Sequence, residues 1–453
     1  MSQRPNVLVI LMDQLRACEM DCYGANLGLT PNMDRFSGEG TRFACAVTPS
    51  PLCSPARSCL LSGQYARTCT GTAGNADGEP LAGRRRFFPC ATLPEQLRNA
   101  GYETYLTGKW HIADHPAQLG FQHALYPKVH HRNRGQDYYD ETGRHFVEEG
   151  YGADLELATT RRILAAPHDR PFFLYHNIYQ PHMPYFDMPE RYRTLIDPET
   201  VALRPNAIVG SAPAQDEEWF HIYMYDYLYY QEHLPFTREL PPSFNLRHLT
   251  ALYRGMVRSA DDQVGEVLDA LAASGHLEDT IVVIASDHGD NLGSHSRFNK
   301  ESSQQEALRV PLMVRWPGRV RQQTASQLAA SLVDVAPTLL GLLGLPIPAG
   351  MQGRNLAPLL QQGEEEGLPA ERNAYFECVL GEVGIHTTTH CFALMTDPET
   401  HTVRDSAFRF TDFARDPYEL ENLAKTGGEE ELARSLQAAA LRWHRETPRL
   451  QAD

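Results

Sequence analysis

The stretch Asn6-Val7-Leu8-Val9-Ile10-Leu11-Met12-Asp13-Gln14 decides the fold class. Val7 to Met12 is an unbroken apolar run of strand length, which suits a central strand covered on both faces. It ends in a carboxylate and an amide, where the strand gives way to a loop. In an open α/β sheet this carboxyl end is where ligands gather. A second strand of the same kind, Thr280-Ile281-Val282-Val283-Ile284-Ala285, terminates in Ser286-Asp287-His288-Gly289-Asp290. Adjacent and parallel, the two strands would bring Asp13, Gln14, Asp287 and His288 to one sheet edge. Carboxylates and an amide oxygen suit a hard divalent ion such as Ca²⁺ or Mg²⁺, and His288 tilts the set toward Mn²⁺. Either pair alone reads equally well as a strand-end turn or a helix cap. Two such pairs point to a metal.

Pro51-Leu52-Cys53-Ser54-Pro55-Ala56-Arg57-Ser58 carries the second signal. Ser54 reads as a helix N-cap and Pro55 as the first helical residue, with Ala56 to Leu61 continuing the helix. Cys53 then sits at a helix N-terminus, where free backbone N–H groups favour an anion, and Arg57 adds a full positive charge one turn on. By itself the segment reads first as a buried cysteine before a helix, because free cysteine is usually a small core residue.

The rest of the chain alternates strands and helices. Thr30-Pro31 opens a helix through Gly38. Thr92 to Ala100 is another helix, followed by a strand, Tyr102 to Leu106, that runs into Gly108-Lys109-Trp110-His111. Residues 115–150, rich in His, Arg, Tyr and Gly, read as a long loop region with at most a short helix. Asp154 to Ala165 has helical spacing, and the strand Pro171 to His176 leads to Pro181-His182-Met183-Pro184-Tyr185. Residues 189–247 are irregular, with an aromatic cluster from Trp219 to Tyr230 that reads as local packing, a substrate mouth or a self-association surface. Leu252, Met256, Ala260, Val264, Val267, Leu268 and Leu271 mark one helix face. Val310 to Arg315 is a strand, and Leu328 to Leu343 a helix interrupted near Pro337. After Pro346 the pattern changes to short strands (374–379, 391–395, 408–411) and a final helix over 429–446. The expected division is a large α/β domain, 1–346, and a smaller C-terminal α+β subdomain, 347–453.

The chain has 453 residues, 42% of them hydrophobic and 22% charged, as expected of a globular protein with more than one core. A formal charge of -16 argues against nucleic acid or an anionic membrane as partner. It leaves room for an anionic substrate in a local cationic pocket. Arg84-Arg85-Arg86 reads as a solvated loop or a pocket rim, and so do His130, His131, Arg132 and Arg134. The nine cysteines show no disulfide spacing and no CxxC pair, which favours a reducing cytoplasm. The run Val7 to Met12 is too short for a signal-peptide core, so a cytoplasmic protein is expected, or a periplasmic one if a leader has been removed. No stretch reaches transmembrane length.

Read together and in order, PNVLVILMDQ, TPNMDRF, CSPARSCLLSG, GKWH, PHMPY, SDHGDNLGSH with Lys300 after it, RVPLMVRWPG, SLVDVAPTLLGLLG and DPYELENLA resemble the type I sulfatases, the formylglycine-dependent branch of the alkaline phosphatase superfamily. The resemblance implies an α/β fold with a central mixed sheet flanked by helices, and a small C-terminal antiparallel sheet with a terminal helix. It implies a sulfuric ester hydrolase in which a formylglycine-generating enzyme converts Cys53, whose aldehyde hydrate attacks sulfur to give a covalent sulfo-enzyme. The implied metal ligands are Asp13, Gln14, Cys53 as formylglycine, Asp287 and His288. Arg57 and Lys109 would hold the nucleophile. Lys300 and His182 would bind sulfate and protonate the leaving alcohol, His111 would take the proton that expels sulfate, and Asn75 would add a polar contact. Gln14 and His288 replace the commoner Asp and Asn, as in the subgroup of choline sulfatases and phosphonate monoester or phosphodiester hydrolases. That removes one negative charge and makes Mn²⁺ a competitor to Ca²⁺. The expected substrate is a small-molecule or saccharide sulfate ester. The alternatives are a phosphorus ester at the same site, or a non-catalytic anion- or glycan-binding protein with Cys53 unmodified.

Overall fold

The fold is described from a computed structural model, over residues 4–76, 85–128, 132–207 and 244–450. In chain order the strands are β1 (Asn6–Asp13), β2 (Thr41–Phe43), β3 (Ala46–Val47), β4 (Glu103–Gly108), β5 (His123–Pro127), β6 (Arg134–Asp140), β7 (His145–Tyr151) and β8 (Phe172–Pro181). They continue as β9 (Thr280–Ser286), β10 (Leu312–Arg315), β11 (Gln323–Ala325), β12 (Ala330–Ser331), β13 (Ala374–Glu377), β14 (Glu382–His386), β15 (His390–Thr396) and β16 (Val403–Asp412). Among these, one mixed sheet runs in the order β11-β2-β10-β9-β1-β8-β4-β5-β6-β7. A separate antiparallel sheet is ordered β13-β14-β15-β16 and packs against the helix Glu430–Glu446.

β1 lies at the middle because every one of its side chains is apolar enough, or tied down enough, to be covered. Val7, Val9 and Leu11 enter one core, while Leu8, Ile10 and Met12 enter the other. The alternation of a strand thus feeds two apolar layers, and helices cover both faces. β1 pairs in parallel with β9 on one side and β8 on the other, with Met12 opposite Ser286. This is the adjacency that the sequence pattern requires. The 28-residue helix Leu246–Ala273 lays Leu249, Leu252, Met256, Ala260, Val264, Val267 and Leu271 on the second core, and the Asn245 side chain caps its first amides. It starts six residues before the apolar stripe read from the sequence.

Three expectations are corrected. Residues 115–150 carry a 3-10 helix (Pro116–Leu119) and strands β5, β6 and β7. The sheet edge conceals them in the sequence: β7 is largely solvated, with Phe146 and Val147 exposed, so apolar alternation is lost. Leu328–Leu343 is not one interrupted helix. Ala330–Ser331 pairs with β3, and the helix is only Val335–Leu342, with Pro337 in its first turn, where a proline has no intrahelical N–H bond to lose. The helix after Pro51 starts at Cys53 with Leu52 as its cap, and Ser54 makes no capping bond. The aromatic cluster 219–230, Arg84, His130 and His131 lie outside the described residues. Arg85 bonds the carbonyls of Phe87, Phe88 and Cys90 and pairs with Glu95, so it staples its own loop. Arg132 and Arg134 are exposed.

Glu156, on the helix Gly152–Ala165, is buried and accepts a hydrogen bond from the Tyr138 hydroxyl at 2.9 Å. Burial, opposed by that hydrogen bond, pushes its carboxyl from 4.5 up to about 8. The folded chain keeps this proton while the unfolded chain releases it, so stability falls as pH rises from 4.5 toward 8 and is flat above. Glu156→Gln, which can still accept from Tyr138, is expected to leave Tm near the parent value at pH 5 and to raise it by several degrees at pH 8. Melting curves at the two pH values check this, and an unchanged difference between them would remove Glu156 from the account.

Candidate active site

The carboxyl ends of β1, β9, β4 and β8 converge with the N-terminus of the helix Cys53–Ser62. Asp13 ends β1 and Asp287 follows β9; the Asp287 amide donates to the Met12 carbonyl at 3.1 Å. Arg57, fully buried, lies between the two carboxylates. Its Nη2 is 3.0 Å from Asp13 Oδ2 and 2.9 Å from Asp287 Oδ2, and its Nη1 donates to Asn177 Oδ1 at 2.7 Å. Cys53 Sγ sits 3.1 Å from Lys300 Nζ, 3.2 Å from His288 Nε2, and 3.7 Å from both Asp13 Oδ1 and Lys109 Nζ. Lys109 Nζ is also 2.5 Å from Asp13 Oδ2. In a converted chain, a hydrate oxygen of formylglycine would take the place of this sulfur.

Gln14 adopts a left-handed backbone (φ 71), unusual for a residue with a side chain. Four bonds hold it there. Its N–H donates to Asp287 Oδ1, its carbonyl accepts from the Tyr253 hydroxyl, its Nε2 donates to Asp290, and its Oε1 accepts from Lys300 at 2.9 Å. Gln14 therefore meets the cluster through its backbone at Asp287 and through its side chain at Lys300. His288 places Nδ1 2.9 Å from the Gly289 carbonyl, which assigns a proton to Nδ1 and turns Nε2 toward Cys53 and the carboxylates; burial lowers the imidazole pKa, but Asp287 and Cys53 outweigh it and raise it. His182 follows the same logic: Nδ1 faces the Met183 carbonyl at 2.5 Å. His111 hydrogen-bonds the Cys53 thiol. Asn75 Oδ1 accepts the Ser54 N–H at 3.3 Å, beside the helix start.

The charges explain the protonation states. Burial disfavours a thiolate at Cys53, but Lys109, Lys300 and His288, with the His111 hydrogen bond, bring its pKa well below the usual value. Burial and the Cys53 thiolate push Asp13 up, yet Lys109, His182 and Arg57 hold it well below the usual carboxylate range. Burial and the neighbouring Asp13 raise Asp287 against His288 and Arg57. Burial, Lys300 and Lys109 lower His182 to about 4, so its imidazole is neutral at pH 7. Burial would lower Lys300, but Cys53, Asp13 and Asp287 raise it, so it keeps its proton.

Asp13, Cys53, Asp287 and His288 place ligand atoms within 4.8 Å of one another, all buried. Two carboxylates and an imidazole Nε2, which a bound cation would hold in place of a proton, are donors suited to a divalent ion, so the residues present fit one. Sequence reasoning missed Asn177, which holds Arg57, and Asp290, which holds Gln14. Asn177 left one trace, a polar residue beside His176 where the apolar start of β8 ends.

The chain belongs to the sulfatase family, whose model matches residues 5–345, and the model for the C-terminal part of N-sulphoglucosamine sulphohydrolase matches residues 293–446. As a member of that alkaline-phosphatase-like family it is a sulfuric ester hydrolase. It is 27% identical to an N-acetylglucosamine-6-O-sulfatase of Bacteroides thetaiotaomicron over 83% of this chain and 74% of that one. It is also 27% identical to the multifunctional alkaline phosphatase superfamily protein PehA of Trinickia caryophylli, over 97% and 95% respectively. In fold it is similar, with a TM-score of 0.79 at 24% identity, to a solved structure of a protein in complex with its substrate D-glucosamine-2-N,6-O-disulfate, over 98% of this chain and 97% of that one.

Divalent metal is expected to stabilise the folded chain. Ca²⁺ or Mn²⁺ added to chelator-treated protein at about a hundred times Kd should contribute about 2.7 kcal/mol. Asp287→Asn should remove most of the resulting rise in Tm. A melting temperature indifferent to every divalent ion tried would detach these side chains from metal binding.

Proposed function

We propose that the chain hydrolyses a sulfate monoester, with formylglycine at position 53 supplying the nucleophilic hydroxyl and one divalent ion, Ca²⁺ before Mn²⁺ or Mg²⁺, held by Asp13, Asp287, His288 and position 53, with Gln14 beside them. The observation that carries the reading is the placing of Cys53 Sγ within 3.7 Å of two lysines, a histidine and an aspartate in one buried site. The ion would act as a Lewis acid, lowering the pKa of the attacking hydroxyl and offsetting charge on the sulfuryl oxygens.

The remaining work falls to this chain's own groups. Arg57 holds Asp13 and Asp287 in place, and Lys109 shields the nucleophile. Arg57, Lys109 and Lys300 outnumber Asp13 and Asp287 around position 53, and conversion of that position removes the thiolate, which suits an anionic ester. Lys300 and His182 hold the sulfuryl oxygens and deliver a proton to the leaving alkoxide. Lys300 carries its proton in the free protein, while His182, hydrogen-bonded to position 53, takes up its second proton only when bound anionic oxygens raise its pKa. His111, hydrogen-bonded to position 53, accepts the proton whose loss releases sulfate.

A sulfated saccharide is the substrate class favoured by the relatives' names, and Cys53 requires a formylglycine-generating enzyme during maturation. Residues 1–346 form the catalytic domain in this reading and 347–453 a supporting subdomain, consistent with the separate sheet β13–β16. A phosphodiester or phosphonate monoester is the second reading, favoured by Gln14 and His288.

A tryptic peptide spanning Cys53 is expected to be lighter than the thiol form by the difference between SH₂ and O. Cys53→Ala should lower kcat/KM by about a thousandfold or more. Side-by-side rates on 6-O-sulfated glucosamine, aryl sulfate, choline sulfate, a phosphodiester and a phosphonate rank the readings. A phosphorus ester hydrolysed faster than every sulfate would reverse their order. Anion binding without turnover, by protein whose thiol persists in a converting host, would replace both with a binding function.

A further inference from the structure

Lys300 rides on a segment, 297–304, that forms neither helix nor strand. Its neighbours Asn299 and Glu301 both have left-handed backbones (φ 61 and 72). A long flexible side chain on such a loop reaches one fixed point, 3.1 Å from Cys53 Sγ, only if the loop is fixed from outside. On the inner side, Asn291 holds the Asn299 carbonyl through both its N–H and its Nδ2, and Glu301 N–H donates to the Pro51 carbonyl at 3.1 Å.

The other fixation comes from the C-terminal sheet. Glu382, first residue of β14 and 1% exposed, accepts the Ser303 N–H at 3.0 Å and the Ser303 hydroxyl on Oε2, while Oε1 lies 3.9 Å from Arg297 Nη2. Arg297 is three residues before Lys300 and Ser303 three residues after it. One buried carboxylate thus faces both ends of the lysine loop. A neutral side chain could fill the space, but it could not take both Ser303 donors on one oxygen and oppose Arg297 with the other.

We propose that Glu382 is a positioning residue that sets Lys300 over position 53 from the C-terminal sheet. The proposal rests on the reading of Lys300 as a sulfuryl-binding cation. The test uses the full chain, converted at position 53 and loaded with metal. It measures kcat, KM, the Kd of inorganic sulfate by calorimetry, and Tm for the parent, Glu382→Gln and Ser303→Ala. KM and sulfate Kd are expected to rise together, by about tenfold in Glu382→Gln and less in Ser303→Ala, as a displaced binding group requires. A merely structural Glu382 would lower Tm and leave KM and sulfate Kd unmoved in the folded variants, which overturns the proposal. Should Glu382→Gln fail to fold, Ser303→Ala decides: it removes one donor and keeps the carboxylate. A parent that neither binds sulfate nor turns over a sulfate ester would instead defeat the functional reading.

Discussion

Two buried carboxylates, from strands paired side by side, are held together by a single guanidinium. Without Arg57 the mutual repulsion and desolvation of Asp13 and Asp287 would force protons onto them or drive them apart. With it, both remain at the ends of β1 and β9, and their neighbours can be arranged around them. Arg57 belongs to the same helix as Cys53, one turn on, so the group that gathers the carboxylates also fixes where the cysteine lies. Asn177 on β8 steadies Arg57 in turn, and the geometry passes across three adjacent strands.

This core of charge reconciles a chain of net charge -16 with an anionic substrate. The excess acid is spread over the molecule. Inside the site, Arg57, Lys109 and Lys300 gather around Asp13, Asp287 and position 53, and burial strengthens each interaction by excluding water. The same burial works against a charge on either group, yet His182 is neutral and Lys300 charged, although both face the same few atoms. Their roles differ because the imidazole loses its proton to desolvation and to two ammonium neighbours, while the ammonium of Lys300 is sustained by the thiolate and the carboxylates.

The C-terminal sheet is bound into this arrangement. Glu377 of β13 receives the N–H and guanidinium of Arg67, in the turn after the Cys53 helix. Glu382 of β14 faces the loop that carries Lys300. Glu419, beyond β16, accepts the Gln305 N–H and pairs with Arg409. Each is a carboxylate supplied by the C-terminal sheet or the loop after it to a segment of the other unit that lacks regular structure or is a short helical turn. Such segments cannot fix themselves, because their backbone bonds are few.

Elements whose pattern is local were legible in the amino-acid sequence alone. The apolar runs of β1 and β9, the stripe of the long helix and the residue types at the strand ends were all readable, and with them Asp13 and Asp287 at one sheet edge; Cys53 and Arg57 joined them only through the resemblance to the sulfatases. Tertiary structure alone decided the strands within 115–150, whose outer edge is solvated and so loses its alternation. It alone decided the start of the Cys53 helix, the turning of Gln14 toward Lys300, and the supporting parts played by Asn177, Asp290 and Glu382. A strand or helix announces itself through a period repeated within a few residues. A hydrogen bond between Glu382 and Ser303 depends on how two sheets pack across 79 residues of chain, and no local period encodes that distance.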